Sequence, residues 1–66
     1  MTVGQAMKQC REKKRMSQMA LAAKVGISSM TISYWETDRC HPSLVLLMCV
    51  ADVLGVTLDE LVGRKA

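Results

Sequence analysis

The sequence predicts an all-α domain of five helices, and three observations support this fold class. The chain has 66 residues, enough for one small domain, and half of them are hydrophobic while 23% are charged, a balance typical of a packed globule. Apolar residues recur throughout at the i, i+3, i+4, i+7 spacing of a helix face. No segment shows the alternation of a half-buried strand, and no Asn-Gly or Asp-Gly turn joins two β-rich runs.

The first helix is predicted over residues 2–14. Thr2 and Gln5 match a capping box, in which the hydroxyl accepts from the N–H of the third residue after it and that residue's side chain bonds back. The cationic end at 13–15 suits either the negative end of the helix dipole or a phosphate group. One apolar face runs along this helix: Val3, Ala6, Met7 and Cys10.

The second and third helices are predicted over residues 17–25 and 28–36. Each begins at a residue that favours the N-cap position, Ser17 and Ser28. Gly26 follows the second helix and is typical of a left-handed helix stop. Because only Gly26 and Ile27 separate the two helices, they must cross sharply, as in a helix-turn-helix.

The third helix has an unusual composition. Ile32 and Trp35 have the spacing of core anchors, and the rest of the helix surface is mostly polar without a charge. Hydroxyls can donate to or accept from base edges, and methyl groups can meet a thymine methyl. This surface therefore suits the reading of bases, and it consists of Ser28, Ser29, Met30, Thr31, Ser33 and Tyr34.

The fourth and fifth helices are predicted over residues 43–54 and 57–62. Pro42 disfavours helix at the residue before it, and Ser43 stands at the N-cap of the fourth helix. Thr57 and Glu60 match a second capping box. Two glycines are expected to stop these helices, Gly55 and Gly63. The fourth helix repeats the apolar pattern of the first at Leu47, Val50, Ala51 and Leu54.

Charge is distributed unevenly along the chain. Residues 1–41 carry seven Lys or Arg and three acidic residues, a net charge of +4, whereas residues 42–66 carry a net charge of −1. The positive half favours a polyanion partner. The longest apolar run, 44–50, is too short to span a bilayer, and the N-terminus lacks the pattern of a secretory signal, so a cytoplasmic protein without membrane association is expected.

The cysteines and the one histidine form no recognisable reactive or metal-binding set. Cys10, Cys40 and Cys49 contain no CxxC pair, and a site at Cys40 and His41 would need two further ligands. We expect reduced thiols with Cys10 and Cys49 in the core, and Cys40 as the reactive thiol if the protein senses oxidation. No catalytic constellation is present, so we expect no enzyme activity, no cofactor, no metal and no small-molecule ligand.

An ordered set of residues between Met7 and Val62 resembles one known family, the Cro/repressor helix-turn-helix proteins, also called XRE-type regulators. The resemblance rests on Arg11, Ser17-Gln18, Leu21-Ala22, Val25-Gly26-Ile27-Ser28, Thr31-Ile32-Ser33, Trp35-Glu36, Pro42-Ser43 and residues 54–61. It implies one lambda-repressor-like domain over residues 1–66, with the helix-turn-helix at about 17–36 and the third helix in the major groove of double-stranded DNA.

The resemblance also implies roles for individual residues. The base-reading positions fall on Ser29, Met30 and Tyr34. The positions that contact phosphate or support the reading helix are Gln18, Ser28, Ser33, Lys14, Arg39 and His41. Arg11 and Glu36 form a partly buried ion pair between the first and third helices.

Three positions depart from the family pattern. Asp38 stands where the family usually has Gly, and Asp tolerates the left-handed conformation better than most residues, although its charge is unfavourable near DNA. Met19 and Ala20 replace two acidic residues after Gln18, which makes the second helix more apolar and leaves a surface that a partner could use. Met30 and Tyr34 are uncommon base readers, so apolar contacts and water bridges must carry more of the specificity.

A homodimer is expected through the C-terminal part, about residues 55–66. A single module makes few base contacts, whereas two modules on a two-fold axis read a palindrome whose half-sites lie ~34 Å apart. Leu61 is expected to pack inward, and the dimer contact is assigned to Val56, Val62 and the turn at 55–57. Leu58 is assigned either to this contact or to the inward face. Because the patch is small, self-association should be weak and strengthened by DNA.

Two function classes follow. The first is a sequence-specific DNA-binding transcriptional regulator, such as a small repressor with a palindromic operator. The alternative is a protein-interaction module, or an antitoxin-like partner, that keeps the fold with weak DNA binding. Salt dependence separates them, because a DNA binder releases counterions from phosphates and loses affinity steeply as salt rises.

Overall fold

A computed structural model describes residues 1–62, and this part of the chain contains five α-helices and no strand. Every predicted helix is confirmed, and each boundary lies within one residue of the expected one. The predicted stop at Gly63 lies outside the described residues. The helices are α1 Val3–Lys13, α2 Gln18–Val25, α3 Ser29–Glu36, α4 Leu44–Leu54 and α5 Leu58–Val62.

The helices begin and end at the residues that their local chemistry favours. Thr2 accepts a hydrogen bond from the Gln5 N–H at 3.1 Å, and the Gln5 side chain accepts from the Thr2 N–H at 3.0 Å, which completes the first capping box. Thr57 and Glu60 form the second, with both bonds at 3.2 Å. Serine hydroxyls cap the remaining three helices: Ser17, Ser28 and Ser43.

The core draws a fully buried side chain from every helix, as the periodicity predicts. α1 packs on α3 and α5, α2 packs on α3 and α4, and α4 packs on α5, so the five helices enclose one centre. α3 contributes the two anchors expected of it, since Ile32 and Trp35 are both buried. The fully buried large side chains are Met7, Leu21, Ile32, Val50, Leu54 and Leu61.

One prediction about the core is wrong. Cys49 is exposed, whereas Cys10 is half-buried and packs against the core as expected. Cys49 lies on the outward side of α4, because successive helix residues are about 100° apart and the inward face is set by Val50 and Leu54. Within residues 1–62, each helix is too short to cross a bilayer.

Candidate nucleic-acid interface

The turn between α2 and α3 has the geometry of a helix-turn-helix. Gly26 adopts the left-handed conformation with φ of 88° and ψ of 32°, and its N–H donates to the Ala22 carbonyl at 2.8 Å. The Ile27 N–H donates to the same carbonyl at 3.0 Å. The chain then re-enters helix at once, because the Ser28 hydroxyl accepts from the Thr31 N–H at 3.2 Å. Two residues are therefore enough to redirect the backbone from one helix to the next.

α3 is anchored on one face and open on the other. Ile32 and Trp35 point into the core, and the opposite face carries Met30, which is 61% exposed, and Tyr34, which is 37% exposed. Ser29 and Ser33 lie along the flank of this open face and are half-buried. The structure thus brings together the predicted readers Met30 and Tyr34, with Ser29 and Ser33 beside them.

A buried polar cluster fixes the C-terminal end of α3. Glu36 accepts two hydrogen bonds from Arg11, at 2.7 Å from Nε and 3.1 Å from Nη2, so the ion pair expected from the family resemblance is present. The third donor to Glu36 is Gln18, whose Nε2 lies 3.0 Å from Oε1. Both charged side chains are almost completely buried. Their hydrogen bonds supply the compensation that a buried charge requires.

Arg11 also joins α1 to the chain that enters α2. Its Nη1 donates to the Met16 carbonyl at 2.7 Å. The hydrogen bonds to Glu36 raise the pKa of Arg11 above its ordinary value, and they outweigh the opposing effect of burial. The guanidinium therefore stays charged and holds α1, α2 and α3 in one arrangement.

Gln18 supports α3 through this cluster. One N–H of its amide is used by Glu36, and an amide group has a second N–H that remains free to donate. Its position at the first residue of α2, where backbone N–H groups have no helical acceptor, also favours anions. Gln18 can thus link α3 to a phosphate at the start of α2.

The negative charge of Asp38 is unfavourable next to a polyanion, and contacts within the domain offset this disadvantage. It adopts a left-handed conformation with φ of 61°, as expected for a residue in the family's glycine position. Its carboxylate accepts from the Thr2 hydroxyl at 2.6 Å and from the Gly4 N–H at 3.3 Å. The negative charge therefore lies against the N-terminal end of α1, where the helix dipole favours it.

The loop that follows α3 carries two further residues expected to contact phosphate, Arg39 and His41. The guanidinium of Arg39 stacks over the Tyr34 ring, 5.9 Å from its centroid, and the Arg39 N–H donates to the Tyr34 carbonyl at 2.9 Å. His41 is exposed two residues further on. Arg39 and His41 therefore lie just beyond the C-terminal end of the reading helix, where the loop was expected to approach a phosphate.

Lys14 lies apart from this group. Its ammonium nitrogen would be 3.1 Å from a Cβ added at Gly55, so it sits beside the C-terminal end of α4. Lysine at a helix C-terminus interacts favourably with the free carbonyl groups and the dipole. The phosphate contact expected of Lys14 stays a prediction.

The three side chains assigned to a dimer contact differ in exposure. Val56 and Leu58 are half-buried and pack against the core, and Val62 is 39% exposed. Leu61 is fully buried, as expected. More apolar surface is exposed on α4 than at this end of the described chain, since Leu44 and Val45 are each about two-thirds exposed at 67% and 69%.

Sequence reasoning missed the close backbone approach of α1 to the end of α3 at Gly4. Gly4 is buried, and a Cβ there would overlap the Trp35 carbonyl oxygen and lie 2.8 Å from that of Glu36. The available signal was a glycine inside a predicted helix, which is unfavourable unless another backbone approaches closely. Gly4 is thus the residue that lets α1 dock closely on α3.

The fold and the site define a helix-turn-helix domain of the lambda-repressor type. A family model described as helix-turn-helix matches residues 7–61. The chain belongs to this family.

Known proteins of the same kind align over nearly the whole chain. The immunity repressor protein of Bacillus phage phi105 is 38% identical over 65 residues, which are 98% of this chain and 45% of that protein. The structure of the P22 c2 repressor in complex with a synthetic operator superposes with a TM-score of 0.91 at 28% identity and covers 98% of both chains. The structure of the biofilm regulator SinR in complex with DNA superposes with a TM-score of 0.84 at 34% identity, covering 91% of this chain and 97% of that one. The chain thus spans less than half the length of the phage repressor that it matches.

Proposed function

We propose that this protein is a sequence-specific regulator of transcription, a small cytoplasmic repressor that binds a palindromic operator in double-stranded DNA as a homodimer. The observation that carries the proposal is the open face of α3. This face is uncharged, combines apolar and hydroxyl groups, and stands on a helix anchored by two buried side chains and a buried ion pair. Hydroxyls and apolar groups are the chemistry that reads base edges in the major groove.

The roles of individual residues follow from this placement. Met30 and Tyr34 contact base edges, with Met30 suited to thymine methyl groups, and Ser29 reads at the N-terminal end of α3. Ser28 and Ser33 lie near the backbone of the duplex, and Arg39 and His41 contact phosphates beyond the other end of α3. Gln18 donates one hydrogen bond to a phosphate and another to Glu36. The position of the domain along the DNA backbone therefore determines the position of α3 in the groove.

The repressors with which the chain aligns support the regulatory role. The immunity repressor of phage phi105 and the P22 c2 repressor are both named as repressors, and the latter is seen with an operator. The dimer contact predicted from the sequence, Val56 with Leu58 and Val62, is one candidate for the two-fold interface.

Selection of bound sequences from a random duplex pool tests the proposal. We expect enrichment of a palindrome, and we expect Met30→Ala and Tyr34→Ala to weaken binding to it by ~1–3 kcal/mol with relaxed preference at particular base pairs. Met19→Ala is the matched control, because Met19 is an exposed methionine on α2 rather than on α3. Unchanged selection by the Met30 and Tyr34 variants would place the reading surface elsewhere.

Salt dependence tests the cationic positions separately. Arg39→Gln should weaken binding to all sequences alike and lower the slope of log affinity against log salt by about one. Lys14→Gln should act in the same way as Arg39→Gln if Lys14 contacts phosphate, and an unchanged slope would remove Lys14 from the phosphate contacts.

A second candidate function is a protein-interaction module with weak DNA binding. The observation that favours it is the exposure of Met19 and Ala20 on α2 next to a third helix without a basic residue. The same pool selection decides between the two functions. A flat salt dependence with no enriched sequence would support the interaction module and contradict the repressor.

A further inference from the structure

α4 exposes an apolar face that the fold does not use. Its inward residues pack on α2 and α5, and the other side presents a continuous stripe, since its positions fall within an arc of about 140° when successive residues are about 100° apart. We name this stripe the outer face of α4. It consists of Leu44, Val45, Met48, Cys49 and Asp52.

The outer face of α4 is more apolar than the solvent-facing side of an ordinary surface helix. A surface helix normally turns charged and polar residues outward, and a helix that is apolar all round is usually buried. On α4, Val45 is 69% exposed and Met48 is 49% exposed, and Asp52 is the single charged residue of the helix. The apolar side chains are therefore adjacent and form a patch rather than scattered single exposures.

We propose that a second copy of this chain docks on the outer face of α4, with the two α4 helices antiparallel about a two-fold axis. The proposal deepens the proposed function, because it names the interface through which two repressor domains occupy neighbouring half-sites.

The charge distribution fits a second copy in this orientation. The N-terminal end of α4 has free N–H groups at Leu44 and Val45, which form a partial positive charge. When the helices cross between Met48 and Cys49, Asp52 of each copy lies opposite Val45 of the other, at that positive end. The arrangement satisfies both carboxylates at once, whereas a parallel pair would place the two Asp52 carboxylates side by side.

The size of the domain fits as well. Its extents are 31 × 23 × 20 Å, and half-sites one helical turn apart lie ~34 Å from centre to centre, so two copies on one face of a duplex come into edge contact when their long axes lie along it. Five side chains supply less than the ~800 Å² per partner of a standard interface. The pair is therefore weak in solution and is strengthened when DNA holds both copies.

Charge exchange across the interface tests the proposal without unfolding the domain. Val45→Glu places an acid in the first turn of α4, where the dipole favours it, but opposite Asp52 of the second copy. We expect sedimentation equilibrium to show self-association weakened by at least about tenfold. Asp52→Lys should also weaken it. The double variant Val45→Glu/Asp52→Lys should restore it, because each introduced carboxylate then faces an introduced ammonium group of the other copy.

Val62→Glu is the matched control, an exposed valine changed in the same way at the end of the chain assigned to the dimer from sequence. If Val62→Glu abolishes self-association and Val45→Glu does not, the interface lies at the C-terminal turn and the proposal is wrong. Failure of the double variant to restore association would exclude the antiparallel arrangement. A monomer at all concentrations and one chain per palindromic duplex would overturn docking altogether.

A second measurement separates this proposal from the proposed function. Val45→Glu should bind a duplex that holds one half-site with unchanged affinity, and it should lose the cooperative occupancy of the full palindrome. If it loses binding to the single half-site, the outer face of α4 contacts DNA rather than a second copy. If wild type binds no half-site while it still self-associates through α4, the docking stands and the DNA-binding function fails.

Discussion

Two helices of equal length, α1 and α4, meet their surroundings in opposite ways. Each has eleven residues, begins at a hydroxyl N-cap and buries one face. The exposed positions of α1 are all polar: Gln5, Lys8, Gln9, Glu12 and Lys13. Those of α4 are apolar except for Asp52. Since the inward faces suffice for the fold, the outward faces are free to differ. That of α1 is the polar surface usual for a solvated helix, and that of α4 is the surface proposed above to meet a second copy.

α1 and α4 also differ in the kinds of contact that hold them against the rest of the domain. α1 buries Met7 in the core and adds directional polar contacts and one close backbone approach to α3, with Arg11 at one end and Gly4 at the other. α4 docks on α2 and α5 through apolar packing, around Val50 and Leu54. Polar docking specifies the position of the reading helix, whereas apolar packing tolerates small shifts at lower cost.

Removal of Arg11 should give the largest effect. Arg11→Ala leaves Glu36 buried with one remaining donor, Gln18, and an uncompensated buried charge lowers the free energy of unfolding by ~3–5 kcal/mol. For a domain of this size that is most of the stability. Thermal unfolding measures the loss, with Lys8→Ala on the exposed face of the same helix as control. A Tm within a few degrees of wild type would show that the buried pair contributes little.

Truncation of Leu54 should cost nearly as much, by a different mechanism. Leu54→Ala removes a fully buried side chain and leaves a cavity, which lowers the free energy of unfolding by ~2–5 kcal/mol. Leu44→Ala makes the same change on the outer face of the same helix and should stay within about 0.5 kcal/mol. Denaturant titration of both variants checks the contrast. Equal losses would mean that the outer face of α4 is already covered in the isolated domain.

The close approach of α1 to α3 predicts an intermediate effect. Gly4→Ala adds one methyl group that meets the carbonyl oxygens of Trp35 and Glu36, and neither backbone atom can turn aside. We expect a loss of ~1–3 kcal/mol, as for other overpacked sites. At an ordinary helix position the same substitution would stabilise, so the sign of the change in denaturant midpoint tests the contact directly.

The sequence predicts the local features of this molecule better than its long-range ones. Caps such as Ser28 and left-handed stops such as Gly26 depend on a few neighbouring residues, and all those within residues 1–62 are confirmed. The Arg11–Glu36 pair came from the family resemblance rather than from periodicity. The bond between Asp38 and Thr2 joins residues 36 apart, and only the packed arrangement of α1 and α3 brings them together.

The candidate site divides in the same way. The open face of α3 follows from helical geometry once Ile32 and Trp35 are placed inward. The exposure of Met30 and Tyr34 could therefore be predicted from the sequence. The use of Gln18 as a donor to Glu36 could not, because it depends on how α2 crosses α3. The position of Lys14 beside Gly55 could not be predicted either, since it depends on how α1 meets the end of α4.

The labelling rates of the cysteines compare α1 with α4 without any change to the stability of the domain. Cys10 on α1 is half-buried against the core, whereas Cys49 on α4 and Cys40 in the loop before it are exposed. Because accessibility limits the attack of a thiol reagent, two cysteines should react quickly and Cys10 slowly, on the timescale of local opening. Mass spectrometry after brief maleimide labelling assigns each site. Addition of a palindromic duplex should then slow the labelling of Cys49, because a second copy covers the outer face of α4. This protection should vanish in Val45→Glu. Protection of Cys40 by DNA itself should persist in that variant. Rapid labelling of Cys49 on the full palindrome would show that this face stays open when two copies are bound.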